Sequence, residues 1–384
     1  MNVLVLTLSF GSGHVRASQA VAKEIACQCP GANVRLVDVL KESHPVFRLF
    51  YEVPYWLMLR YAPSLWNRLN SARHEQMHES TAPRWTFEVG CRKVFRMIEK
   101  FQPDLILAVE VAACEISAIA RQKGLTRAPI IAVVTDYEAE PIWINREIDA
   151  FTVADEHGRD ELIDWDAPAE KIFVSGIPID EAFGLKHDRR ATRLRHGIND
   201  DLPMVLLMGG GMGPTRMDQV ARELDGLNAP LHMIAITGHD SRARRRLERF
   251  QVQSPASLRV LGWTDDVPAL MQAADLLVTK PGGLTTLEAA ASSLPVVLFD
   301  PIPGAEFVNA KRMVDAGAAV MTSGAEETAR TLLSLMRDQT ALRVMAANAK
   351  RFARPNARRE IAALALQLAQ SNSDVATQRA RRVV

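Results

Sequence analysis

Short, continuous apolar runs recur along this chain, each followed by a stretch long enough for a helix. The first is Asn2-Val-Leu-Val-Leu-Thr-Leu8, and further runs at 33–39, 104–109, 129–134, 149–153 and 171–175 read as strands. A second series appears at 203–208, 231–237, 258–261, 275–279 and 295–299. Strands that are apolar on both faces must be covered on both faces, and the intervening helices supply that cover. The expected fold class is therefore α/β: two facing Rossmann-like domains, each on a parallel sheet, with a ligand cleft where the carboxyl ends of the sheets meet. Gly and Pro break the pattern within Ser175-Gly-Ile-Pro-Ile-Asp180, which places the domain boundary there. Residues 1–177 then form an N-terminal, acceptor-facing domain and 178–355 a C-terminal, ligand-binding domain. Residues 356–384 carry a terminal helix, expected over 357–371 and packing back on the first domain, and a basic tail.

The 384 residues suit two domains, and a hydrophobic share of 48% is enough for two cores. A net charge of +1 argues against a dedicated nucleic-acid binder. Cys27, Cys29, Cys91 and Cys114 form neither a CxxC pair nor a zinc pattern, so they read as reduced thiols in a cytoplasmic protein. The first apolar run lacks a basic leader and is too short for a signal peptide. No apolar run reaches the roughly 20 residues that span a bilayer, so membrane contact is expected to be peripheral. Charge and aromatics are nevertheless unevenly spread. Residues 44–100 hold 9 Lys/Arg against 5 Asp/Glu and 10 of the 23 aromatics, and residues 350–384 hold 8 Lys/Arg against 2 Asp/Glu. Such segments suit an anionic membrane surface, and they equally describe a helical insertion with solvated arginines. Phe47, Tyr55, Trp56 and Trp66 are the candidate contact residues.

Ser9-Phe-Gly-Ser-Gly13-His14 closes the first strand. Arg16 stands where a dinucleotide fingerprint has its third glycine, which disfavours a nicotinamide-binding oxidoreductase. His14 either simply opens a helix or is a general base for a hydroxyl, beside Gly13. Asp136, at the end of Val133-Val-Thr-Asp136, either makes a turn, orients His14 or binds a hydroxyl. Trp143, in the loop that follows, is a candidate for lining an acceptor groove. In the second half, Gly209, Gly210, Gly211 and Gly213 leave backbone N–H groups free to ring a phosphate. Lys280-Pro281-Gly282-Gly283 heads a helix whose unpaired amides suit an anion, and Glu288 in that helix suits a sugar diol. Gly238 ends the strand over 231–237 on the same ligand-binding side, and main-chain atoms near Trp263, with Met271 packing beneath, are placed to read a base edge.

These residues resemble the diacylglycerol glycosyltransferases of glycosyltransferase family 28, the monogalactosyldiacylglycerol synthase and processive diacylglycerol glucosyltransferase group. The likeness spans nearly the whole chain. It rests on Gly-Ser-Gly-His of 11–14, Val-Thr-Asp of 134–136, Gly-Gly-Gly-Met-Gly of 209–213, Lys-Pro-Gly-Gly…Glu of 280–288 and Pro-Ile-Pro-Gly-Ala-Glu…Asn-Ala of 301–310. The resemblance implies a GT-B fold, a UDP-hexose donor, diacylglycerol as acceptor, inversion at the anomeric carbon and no obligatory metal or other cofactor. It implies His14 as the base, with Asp136 beside it, and a donor site of the glycines above with Pro281, Thr285, Glu288, Gly304, Glu306 and Asn309. It also implies work at the inner face of the cell membrane. Two positions depart from the pattern: Ala305 stands where these enzymes commonly carry Gln, and Glu140 where they carry His. A polyprenyl-linked or soluble acceptor, or a non-catalytic UDP-sugar-binding protein, are the alternative readings.

Overall fold

The computed structural model describes residues 1–9, 11–54, 57–58, 82–209, 216–301 and 305–382. The chain forms two compact units, one of Met1–Asp180 with Asn356–Val384 and one of Glu181–Pro355.

The first unit holds a six-stranded parallel sheet in the order β2-β1-β3-β4-β5-β6. Its strands are β1 (Asn2–Thr7), β2 (Asn33–Asp38), β3 (Leu105–Ala108), β4 (Ile130–Val133), β5 (Ala150–Val153) and β6 (Ile172–Val174). β1 lies between β2 and β3, with Leu6 opposite Val37 on one side and Ala108 on the other. The chain thus goes from β1 to β2 on one side and returns to β3 on the other, and this reversal makes the gap between β1 and β3 the sheet's switch point. Both faces of the central strands are covered: Val3, Leu4, Val5 and Leu6, like Ile106 and Leu107, have no exposed surface. That accounts for the unbroken apolar runs in the sequence.

The second unit repeats the plan in the order β12-β11-β10-β7-β8-β9, again all parallel. Its strands are β7 (Met204–Met208), β8 (His232–Ile236), β9 (Ser257–Leu261), β10 (Leu276–Thr279), β11 (Val296–Phe299) and β12 (Ala319–Thr322). β7 and β10 flank the switch point, with Met208 opposite Thr279. β12 is an addition to the five strands expected from sequence. It is a four-residue edge strand whose middle residues are partly exposed, so it lacks the continuous apolar run that marks the others.

Two helix readings change. The helix expected over 86–101 is two, Arg84–Gly90 and Arg92–Phe101, broken at Cys91. A Cβ on Gly90 would lie 2.5 Å from the Phe47 Cβ, so glycine is what lets the short helix Pro45–Phe47 press against this break. The terminal helix runs Ala357–Arg382, well past 371, because no Gly or Pro interrupts that stretch. It is held to the helix Ser12–Gln28 by Arg358, which donates to Glu24 at 3.0 Å with both side chains nearly buried.

Candidate active site

At the first switch point, β1 ends in a loop that feeds the helix Ser12–Gln28. Gly11 caps this helix with φ +155°, a backbone that side-chain-bearing residues rarely adopt, and no side chain caps the helix head. His14, in the first turn and half-buried, sits 2.8 Å from the buried Thr135 hydroxyl through its Nδ1. Thr135 and Asp136 follow β4. Burial pulls the His14 pKa below its ordinary 6.5, while the charge of Asp136 and a backbone hydrogen bond at Val109 oppose that pull. The net effect is an imidazole that is neutral at pH 7 and fixed in orientation, which is the state a proton acceptor needs.

A second titratable group at this switch point escaped the sequence reading. Glu110 follows β3, is buried, and caps the helix Val111–Gln122 by accepting from the Ala112 N–H at 2.7 Å. Its other oxygen accepts from the Tyr51 hydroxyl at 3.4 Å. Burial pushes its pKa up to about 7, against the Ala112 and Ala113 amides and Tyr51, which pull it down. A Glu before an apolar helix carries no such signal in one dimension, since one of its partners, Tyr51, is 59 residues away.

The expected acceptor and membrane residues divide. Phe47 and Trp143 are a correction: they are buried in the core of the first unit, where Phe47 stacks on Tyr51 with centroids 5.0 Å apart and packs on Phe87. Helical periodicity turns Phe47 inward and its neighbours outward, so among the described residues of this region the exposed apolar ones include Leu49, Phe50, Val53, Leu57 and Trp85. Phe50 and Trp85 meet edge to face, 5.5 Å apart. Gly13 is half-buried in the first turn beside His14. Tyr55, Trp56 and Trp66 lie outside the described residues.

At the second switch point, β10 runs into Lys280-Pro281-Gly282, a tight turn closed by the Gly282 N–H on the Lys280 carbonyl at 2.8 Å. The helix Gly283–Ala291 starts there, with no side-chain cap and no acidic residue in its first turn, so its leading amides are open to an anion. Thr285 is half-buried in that turn and Glu288 is buried one turn on. Asn309 is fully buried and donates from Nδ2 to the Pro281 carbonyl at 3.2 Å. Glu306, in the first turn of the helix Ala305–Asp315, pairs with Lys280. Lys280 opens the 280–288 motif, yet its partner is 26 residues away, and the motif alone does not reveal the pairing. Gly209 follows β7 and is buried. Gly210, Gly211, Gly213 and Gly304 lie outside the described residues. Beyond β8, Gly238 takes φ +56° and leads into His239, whose ring stacks on Trp263 at 4.5 Å and 10°. Trp263 is 45% exposed, whereas Met271 is fully buried in the helix Val267–Ala273.

Two Rossmann-like units, each with its motif at the carboxyl-end switch point of a parallel sheet, define a GT-B protein. Solved structures share the fold. MurG of Acinetobacter baumannii aligns at a TM-score of 0.62 and 19% identity, over 95% of this chain and 99% of that one. Anabaena Alr3699/HepE in complex with UDP-glucose aligns at 0.56 and 17%, over 98% and 100%. The UDP-GlcNAc 2-epimerase of Neisseria meningitidis, bound to UDP-GlcNAc, aligns at 0.63 and 14%, over 96% and 100%. The sequence narrows the class further. Residues 14–179 match the monogalactosyldiacylglycerol (MGDG) synthase family, and residues 189–352 match glycosyl transferases group 1. The chain therefore pairs an N-terminal half similar to MGDG synthase with a C-terminal half similar to group 1 glycosyl transferases. The processive diacylglycerol β-glucosyltransferases of Bacillus licheniformis and Bacillus mycoides are 27% and 28% identical, over 91% and 92% of this chain and 90% of each relative.

Proposed function

We propose that this chain is a glycolipid glycosyltransferase that moves a hexose from a UDP-sugar to the hydroxyl of diacylglycerol, with inversion at the anomeric carbon. The observation that carries the reading is the neutral His14 held by the Thr135 hydroxyl at a switch point. The matched families and the names of the relatives support the donor and acceptor classes. His14 takes the proton from the acceptor hydroxyl as that oxygen bonds to the anomeric carbon and the bond to the diphosphate breaks. Asp136 favours the imidazolium that forms. The head of the helix Gly283–Ala291, with Gly209 and the glycines after it, receives the departing UDP through backbone amides. Trp263 and Gly238 hold the base, Glu288 the ribose, and Glu306 and Asn309 lie near the sugar. No bound metal or other cofactor enters this scheme. The surface of Leu49, Phe50, Val53, Leu57 and Trp85 rests on the anionic inner face of the cell membrane. No helix among the described residues is long and apolar enough to cross a membrane.

The test measures UDP release from UDP-glucose and UDP-galactose with diacylglycerol vesicles, with the lipid product identified by mass spectrometry. The expected result is a glycosyldiacylglycerol from the parent and a loss of about a hundredfold or more in kcat for folded His14→Ala. Near-parental turnover in that variant removes the base assignment. UDP-sugar binding without transfer to any lipid favours a sensor over an enzyme.

A further inference from the structure

Glu110 is buried at the first switch point and has no role in the scheme above. It stands between β3 and the helix Val111–Gln122, directly after Val109, whose main chain hydrogen-bonds the His14 ring. That bond favours the imidazolium, so it is the Val109 carbonyl that accepts it. The ring is thus held at two places, by this carbonyl and by the Thr135 hydroxyl at 2.8 Å.

The Val109 carbonyl shares one rigid peptide plane with the Glu110 nitrogen, so its direction follows the backbone at 110. The near end of that stretch is fixed by the ladder, where the Val109 N–H donates to the Leu6 carbonyl of β1 at 3.0 Å. The far end depends on a side chain. Glu110 is extended, at φ −169° and ψ 154°, and the chain turns helical one residue later. Its carboxylate holds this change of direction by accepting from the Ala112 N–H at 2.7 Å. The other carboxylate oxygen accepts from the Tyr51 hydroxyl at 3.4 Å, a second hold on the carboxyl. The Tyr51 ring is itself packed, stacked on Phe47 with centroids 5.0 Å apart and edge-on to Phe87 at 5.9 Å. On either side of it along the chain stand the exposed Leu49, Phe50 and Val53.

We infer that Glu110 is a positioning residue for the general base. Its carboxylate sets the Val109 carbonyl against the His14 ring, and Tyr51 joins that setting to the exposed apolar segment. A base displaced by about 1 Å from its line to the acceptor hydroxyl costs on the order of a hundredfold in rate, while the nucleotide site in the other unit is untouched. The inference deepens the role given to His14 in the proposed function and rests on it.

The experiment uses the full chain, diacylglycerol vesicles and whichever of UDP-glucose and UDP-galactose the parent transfers. It reads kcat and KM separately and measures UDP affinity by calorimetry without lipid. Glu110→Met keeps the length of the side chain and cannot accept from Ala112. It is expected to lower kcat about tenfold or more, while the donor KM and the UDP affinity stay within about twofold of the parent. Glu110→Gln keeps an oxygen for Ala112 and a polar partner for Tyr51, and is expected to bring kcat back to within about threefold. Tyr51→Phe keeps the ring packing and removes one hold, and is expected to lower kcat about twofold to fivefold. A merely structural role would not separate kcat from KM and UDP affinity in this way. Parental kcat in folded Glu110→Met, a matching loss of UDP affinity, or a loss in Glu110→Gln as large as in Glu110→Met each overturn the inference. Where Glu110→Met does not fold, parental kcat in Tyr51→Phe overturns it instead. If the parent transfers no sugar, or folded His14→Ala keeps its turnover, the base assignment itself fails, which is a separate outcome.

Discussion

At His14 the chemistry rests on a proton kept off. Desolvation lowers its pKa below 6.5, and Asp136 partly restores it. A base must be unprotonated, so the acid limb of kcat/KM is expected to fall below pH 6.5. Asp136→Asn removes an influence that raises the pKa, and it is expected to move the limb to still lower pH. A limb above 6.5, or one moved upward by Asp136→Asn, contradicts the assignment. Glu110 presents the opposite sign. Its folded pKa of about 7 lies above its ordinary 4.5, so its contribution to stability is full below pH 4.5 and is lost as pH rises through 7. The loss corresponds to about 3 kcal/mol at most. Glu110→Gln keeps an oxygen for the Ala112 N–H and never ionises. Urea unfolding is expected to show this variant gaining on the parent between pH 4.5 and 7 and more stable than it at pH 8. A constant difference across that range contradicts the burial argument.

Among the elements, the helix break at Gly90–Cys91 is the most exposed to a test. Phe47 has no exposed surface, and its backbone and Cβ occupy the space a side chain at 90 needs. Gly90→Ala is expected to destabilise the first unit by about 1–3 kcal/mol through overpacking, read by denaturant unfolding. No destabilisation would show that the Pro45–Phe47 segment yields freely. The same contact explains why the inward and outward faces of this region were not legible from sequence. A run as rich in aromatics as 47–56 offers several amphipathic phases, and only the fit against Gly90, Tyr51 and Phe87 selects the one that buries Phe47. Trp143 is similar: its loop reads as polar, yet the short turn Pro141–Trp143 folds its ring into the core.

Across the whole molecule, the two units of Met1–Asp180 with Asn356–Val384 and of Glu181–Pro355 carry separate motifs at separate switch points. A ligand that binds one folded unit stabilises that unit by mass action, about 2.7 kcal/mol at a hundred times its Kd. UDP is therefore expected to slow hydrogen exchange chiefly in peptides from 181–355, with the greatest effect over 276–310. Slowing confined to 1–180 would reassign the nucleotide half. The sequence by itself determined the parallel sheets, because a strand buried on both faces needs an unbroken apolar run. It also determined where each sheet presents His14, Asp136 and the Gly282-Gly283 turn, because strand, turn and helix follow one another locally. Only the tertiary structure decided which partners those residues have. Thr135 meets His14 across 121 positions, Lys280 meets Glu306 across 26, and Tyr51 meets Glu110 across 59. Such pairings, and the burial that shifts a carboxyl to about 7, arise only when distant strands are set side by side.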